Sequence, residues 1–260
     1  MKNLEQTCYF LTLTLLTLVL AQPVHAFQWT NTELQLQYGN LDIPTFAGGG
    51  SSDHLISTFQ HANGWKYGDN FFFVDVIDSR EPGFQDFDIY SELYSNFSLG
   101  KITGNQVGGR AVSDIGFILG INYADDARVK KYLTGVRFSL DIEGFVFANL
   151  DVMASFDDSA GVNSGGAPKE DNAILIDFNF ARPFKIAGSS FTIEGHLEYF
   201  GERDNELGGK ARSWILAQPQ IRWNPNDRIS LGIEYQFWMN KLGDGDTDEN
   251  TIQALLVWKF

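Results

Sequence analysis

Along most of this chain apolar and polar residues alternate one for one. The clearest run covers 87–99, where Phe87, Ile89, Leu93, Phe97 and Leu99 alternate with Asp88, Tyr90, Glu92, Tyr94 and Asn96. A period of two belongs to a β-strand with one oily and one wet face. The pattern recurs over 34–38, 55–61, 71–77, 115–123, 136–142, 146–156, 174–180, 191–199, 215–223, 229–239 and 252–260, making twelve stretches in all. Nothing after residue 26 approaches the roughly 18 consecutive apolar residues of a helical span, and mean hydropathy is −0.17, so transmembrane helices are excluded.

The connections refine the picture. In a closed membrane barrel with both termini on one side, loops after odd strands are long and those after even strands short. Residues 42–54, 157–172, 201–212 and 240–250 are long, polar and follow odd strands, whereas Glu143-Gly144 and Asn224-Pro225-Asn226-Asp227 are tight and follow even ones. Residues 100–110 are too long for a turn and break the rule. A soluble sandwich would show no such alternation and would place Phe and Trp between two sheets. The expected fold class is all-β, a twelve-stranded antiparallel transmembrane β-barrel.

The two ends of the sequence point to the same envelope. Lys2, the apolar run 9–21 and Val24-His25-Ala26 have the layout of a cleaved signal peptide, with a mature barrel domain expected over 27–260. Cys8, the single cysteine, precedes the apolar run, so a lipoprotein box is not expected, and the mature part would have neither disulfides nor thiol chemistry. In the last stretch Ile252, Ala254, Leu256, Trp258 and Phe260 share a face, and a terminal Phe such as Phe260 is the mark by which the barrel assembly machinery reads its clients. The expected location is the bacterial outer membrane, with outer-membrane lipid and lipopolysaccharide around the wall.

Aromatics at 14%, with 22 Phe, and 26 Gly fit strands and turns. The net charge of −14 repels nucleic acid. Inside a barrel the same charge favours cations and neutral solutes over anions.

Four motifs carry a family resemblance: His61 to Asp75 (HANGWKYGDNFFFVD), Gly144 to Asp151 (GFVFANLD), Gln218 to Arg222 (QPQIR), and Gly232 to Trp238 (GIEYQFW) followed by Asn240-Lys241. Together they resemble the nucleoside-specific channels of the outer membrane, the Tsx-like family that includes the OmpK-type proteins. The resemblance covers the mature chain almost end to end. It implies a monomeric twelve-stranded barrel through whose narrow lumen nucleosides diffuse without an energy source. The loops depart from the best-known members, and Ala148-Asn149 and Met153-Ala154-Ser155 stand where bulkier residues are expected.

The wet faces agree with a solute path. Asp75, Asp88, Tyr90, Glu92, Tyr94, Arg137, Asp141, Glu143 and Asp177 are expected to face inward, continued by Glu194, Glu198, Arg222, Glu234 and Trp238. Aromatic rings stack on a base, and carboxylates accept hydrogen bonds from hydroxyl or amino groups. Weak repeated sites suit conduction, because tight binding stops release. The plainer reading is that these residues plug a small barrel with Arg–carboxylate pairs. Tyr123, Trp223 and Trp258 are read as interfacial girdle residues.

An enzyme is the competing class. A barrel phospholipase needs a Ser one or two positions after His61, but Ala62 and Asn63 follow. His54 lies in a Gly/Ser loop and His196 among carboxylates. Asp244, Asp246, Asp248 and Glu249 echo a calcium loop but lack its Gly and its helices. No catalysis, cofactor or metal is expected. A less selective small porin, or a surface receptor for bacteriophage or host in which loops 42–54 and 157–172 are recognised, stand as alternatives to the nucleoside channel.

Overall fold

The computed structural model describes residues 27–79 and 86–260. The expected signal segment lies outside them. Twelve staves form the sheet: β1 (Phe27–Asp42), β2 (Ser51–Trp65), β3 (Gly68–Ser79), β4 (Asp88–Ser98), β5 (Val112–Ala124), β6 (Val129–Leu140), β7 (Phe147–Asp157), β8 (Ala173–Ile186), β9 (Ser189–Phe200), β10 (Trp214–Ala217 and Gln220–Trp223), β11 (Ile229–Met239) and β12 (Glu249–Lys259). Each pairs antiparallel with its sequence neighbours. The sheet closes where β1 meets β12, from Glu33 opposite Lys259 to Tyr38 opposite Ala254.

Alternation decides the facing. On β4 Leu93 is 45% exposed on the outside, while Asn96 is 4% exposed inside. Phe117, Leu119, Ile121, Ile221, Leu231, Ile233, Leu256 and Trp258 likewise look outward. Such an apolar outer belt suits hydrocarbon, and a closed sheet leaves no strand edge to be satisfied there. Tyr123, Trp223 and Trp258 are exposed on the outside near strand ends, where girdle residues belong.

Turn chemistry sets several connections. Between β8 and β9, Ala187 and Gly188 have φ of 49° and 84°, the paired left-handed residues of a type I′ hairpin. In β10 the ladder breaks at Gln218-Pro219, because Pro has no N–H to give. Gly195 on β9 meets this break, and a Cβ there would lie 2.3 Å from the Gln218 carbonyl. The alternation nevertheless survives, with Gln218 turned inward.

Two departures from the expected pattern have physical causes. The long connection 99–111 lies at the end that carries the termini, where short turns were expected. It is folded into a small helix, α1 (Leu99–Thr103), whose first turn is capped by Ser98 Oγ accepting from Lys101 N at 3.0 Å, while Asp114 accepts from Gly100 N at 2.9 Å. Lys101 Nζ then covers the neighbouring β2–β3 turn by donating to the Gly68 carbonyl at 2.8 Å. Asp141 and Glu143 are not inward residues of β6. That strand ends at Leu140, and both carboxylates are exposed in the connection to β7.

At the opposite end the loops clasp one another across the seam. Asp244 accepts from Thr45 N at 2.6 Å and from the hydroxyls of Thr45 and Thr247 at 2.7 Å each. Lys241 inserts its ammonium between Glu249 and the Asp42 carbonyl. Burial pushes the Asp244 carboxyl upward, but the hydrogen bonds from Thr247 and Thr45 outweigh it and hold the group below its ordinary 3.8. A carboxyl depressed by folding contributes stability above its unfolded pKa and loses it as pH falls through the folded value. Below pH 3.8 the Thr45 amide proton should therefore move towards its free-loop NMR shift, whereas Asp244→Asn should abolish that pH dependence.

Candidate functional site

The interior is unevenly filled. At the loop end, Ile118, Leu133, Met153, Leu175, Phe200 and Trp214 from β5 to β10 form a buried apolar cluster on the inner wall. Arg203 roofs it, 4.4 Å from the Phe200 ring and 4.2 Å from Trp214, and donates to Glu170 at 2.7 Å. These contacts pin the loops after β7 and β9 over that half of the barrel.

The inner faces of β3 and β4 carry Phe71, Phe73, Asp75, Tyr90, Glu92 and Tyr94, all partly accessible. Phe73 and Tyr90 lie 5.9 Å apart ring to ring. Asp75 accepts from Thr58 Oγ1 at 2.6 Å. Glu92 accepts from the Tyr90 hydroxyl and, at 2.9 Å, from Asn122 Nδ2, while the Tyr94 hydroxyl donates to Asn122 Oδ1 at 3.0 Å. Glu92 interacts electrostatically with His196, Asp177 and Glu198 on the other side of the interior. That facing wall also contains Gln218 and Trp238. The indole N–H of Trp238 is buried and unpaired among the described residues. The result is a slot with aromatic rings on one side and acceptors on both, in which the ring nitrogens of His196 already face Asp177 and Gln218.

The remaining sequence-derived candidates lie elsewhere in the interior. Arg137 is bidentate to Asp151, with both bonds at 2.7 Å, and reaches Asp69 at 2.9 Å. Arg222, 1% exposed, bridges Glu33 and Glu194 at 2.9 Å each. Glu234 is held by Gln37 at 2.7 Å, Gln220 at 2.6 Å and Gln253 at 3.0 Å. Asp88 lies at the rim and accepts from Asp126 N at 3.1 Å. Arg137, Arg222, Glu234 and Asp88 are therefore buried in the wall's own network, while Asp75, Tyr90, Glu92, Tyr94, Asp177, Glu194 and Trp238 keep accessible surface.

Sequence reasoning passed over Phe71 and Phe73, because a wet face was defined by polar residues. Their parity with Asp75, four and two positions on, marks them as inward.

Among the described residues, neither His61 nor His54 enters a nucleophile–base pair. His61 faces outward and shares a 2.7 Å hydrogen bond with Thr32. Ser52 Oγ is 3.4 Å from His54 Nδ1, but that nitrogen faces the Ser52 carbonyl at 2.9 Å. With its proton directed at the Ser52 carbonyl, this nitrogen has no lone pair for the serine.

No protein-family model matches the chain, and no curated protein does either. Among solved structures the NanC porin superposes with a TM-score of 0.52 at 13% identity, over 87% of this chain and 100% of that one. The translocator domain of the autotransporter NalP from Neisseria meningitidis gives 0.45 at 7% identity, over 98% and 96%. The beta domain of the Bordetella autotransporter BrkA gives 0.41 at 10%, over 89% and 99%. The NanC match identifies the fold as that of an outer-membrane β-barrel; at 13% identity it reaches no further than the fold.

Proposed function

We propose that this protein is a passive outer-membrane channel for nucleosides and similar small, uncharged aromatic solutes. The observation that carries the reading is the slot: Phe71, Phe73, Tyr90 and Tyr94 supply ring faces along one wall, and Asp75 and Glu92 lie between them. A base can stack on the rings while its amino groups and sugar hydroxyls donate to the carboxylates. Each contact is replaceable by water, so no step demands an energy source. Support also comes from the motifs that resemble the nucleoside channels and from the porin among the fold neighbours. The long clasped loops face outside in this reading, and the termini face the periplasm.

Liposome swelling tests it. Reconstituted protein should admit nucleosides faster than sugars of equal size, and equal rates would sink the nucleoside preference while leaving a general porin. Phe73→Ala and Tyr94→Ala should each lower nucleoside flux at micromolar concentration. Losing one stacking platform is worth about 1–3 kcal/mol. Small-ion conductance should hold or rise, because truncation widens the slot. Unchanged flux in both variants would reduce these rings to packing.

A further inference from the structure

The hydrogen bonds around His196 have a direction that can be read from their ends. Glu249 accepts from Gln236 Nε2, so the Gln236 oxygen points the other way. That oxygen accepts from Gln218 Nε2 at 3.0 Å and from Gln253 Nε2 at 3.2 Å. Gln218 consequently turns its own oxygen to His196, 2.8 Å from Nε2. On the other side of the ring, Nδ1 lies 2.9 Å from Asp177 Oδ1, and Asp177 Oδ2 accepts from Asn179 at 2.8 Å. Turning Gln218 over would set its oxygen against the oxygens of Gln236 and Glu234. A carboxylate end and an amide oxygen flank the imidazole, and neither can donate. Both ring nitrogens must therefore carry protons.

We propose that this chain holds His196 as a fixed imidazolium, and that its charge, set among the carboxylates of the slot, governs the ion selectivity there. The second half rests on the channel reading above. Among the described residues, Arg137, Arg222 and Lys241 are withdrawn into carboxylate pairs, their side chains 10%, 1% and 3% exposed against 31% for His196, while Lys259, inward on β12, stands at the terminal end of the barrel beside Glu194. Arg203 and Lys131, at 1% and 11%, are pinned under the loops. The groups facing the imidazolium are Asp177 from β8, Glu198 from its own strand, Glu92 from β4 and Glu234 from β11. Without His196 the accessible charges in this part of the slot would all be carboxylates, which attract cations and repel anions. With it, the slot keeps a mixed field in which a dipolar, uncharged solute fits best.

Two measurements test the two halves. In ¹⁵N-labelled wild-type protein in micelles at pH 7, both ring nitrogens of His196 should show protonated NMR shifts; a neutral tautomer would overturn the proposal whatever the variants do. In planar bilayers under a KCl gradient, His196→Gln, checked for folding by heat-modifiability, should raise the potassium-to-chloride permeability ratio by roughly threefold. Gln218→Leu, which frees Nε2 from its acceptor while leaving Nδ1 on Asp177, removes the need for a second ring proton and should make the ratio pH-dependent, whereas the wild-type ratio should stay flat across neutral pH. An unchanged ratio in folded His196→Gln would overturn the selectivity role. A folded wild-type protein that forms no pore would overturn the channel reading and that role together, leaving the NMR result to judge the imidazolium.

Discussion

Replacing Arg222 with methionine should abolish the folded, heat-modifiable form of the protein or lower its urea midpoint sharply. The guanidinium is 1% exposed and bonds Glu33 and Glu194 at 2.9 Å each and Gln220 Oε1 at 2.7 Å. Glu33 is itself 2% exposed. Taking the cation away leaves the buried Glu33 carboxylate and the partly accessible Glu194 beside it without a counter-charge, and breaking a buried pair in this way costs about 3–5 kcal/mol. Neutralising the partners as well tests the cause. Arg222→Met combined with Glu33→Gln and Glu194→Gln should recover much of the loss, since the stranded charge, not the missing bond, is the larger penalty. A single variant as stable as the parent would show that the clamp is dispensable to the wall.

The Arg222 clamp marks the limit of what local sequence patterns contain. The alternation in β4, β10 and β11 placed Glu92, Arg222 and Glu234 on the inner face without any structure, because facing follows from a period of two. Loop lengths likewise located the clasped end. Which interior group meets which is another matter. Arg222 finds Glu33 189 residues away, and Arg137 finds Asp69 68 residues away, across β4 and β5. Such pairings depend on strand tilt and stagger around the closed sheet, quantities that no local pattern contains. The apolar cluster around Ile118 and Trp214 was overlooked for the reason that hid Phe71 and Phe73: its members have inward parity, Phe200 falling in step with Glu194 and Glu198, but a wet face was defined by polar residues, and the closed sheet stacks Phe200 and Trp214 inside at 4.6 Å. The break at Gln218-Pro219 could have warned of irregularity, but the chain of amides running to His196 could not have been drawn from it.

Leu93→Arg should be far more damaging than Glu92→Gln, although the two positions are adjacent. Leu93 points outward from β4, 45% exposed, beside Phe72 of β3 and Ile121 of β5. If that belt faces hydrocarbon, an arginine near the midplane costs about 2–4 kcal/mol. Folding into lipid vesicles, followed by heat-modifiability, should fall accordingly. Glu92 points the other way and accepts from Tyr90 and Asn122. Glutamine keeps an oxygen for the Tyr90 hydroxyl and removes a charge that faces Glu198 and Asp177, so folding should be unaffected. The same pair separates two errors. A tolerated Leu93→Arg beside a damaging Glu92→Gln would mean that the strand is slipped by one residue, which exchanges its faces; tolerance of both would mean that the outer belt does not meet lipid at that height.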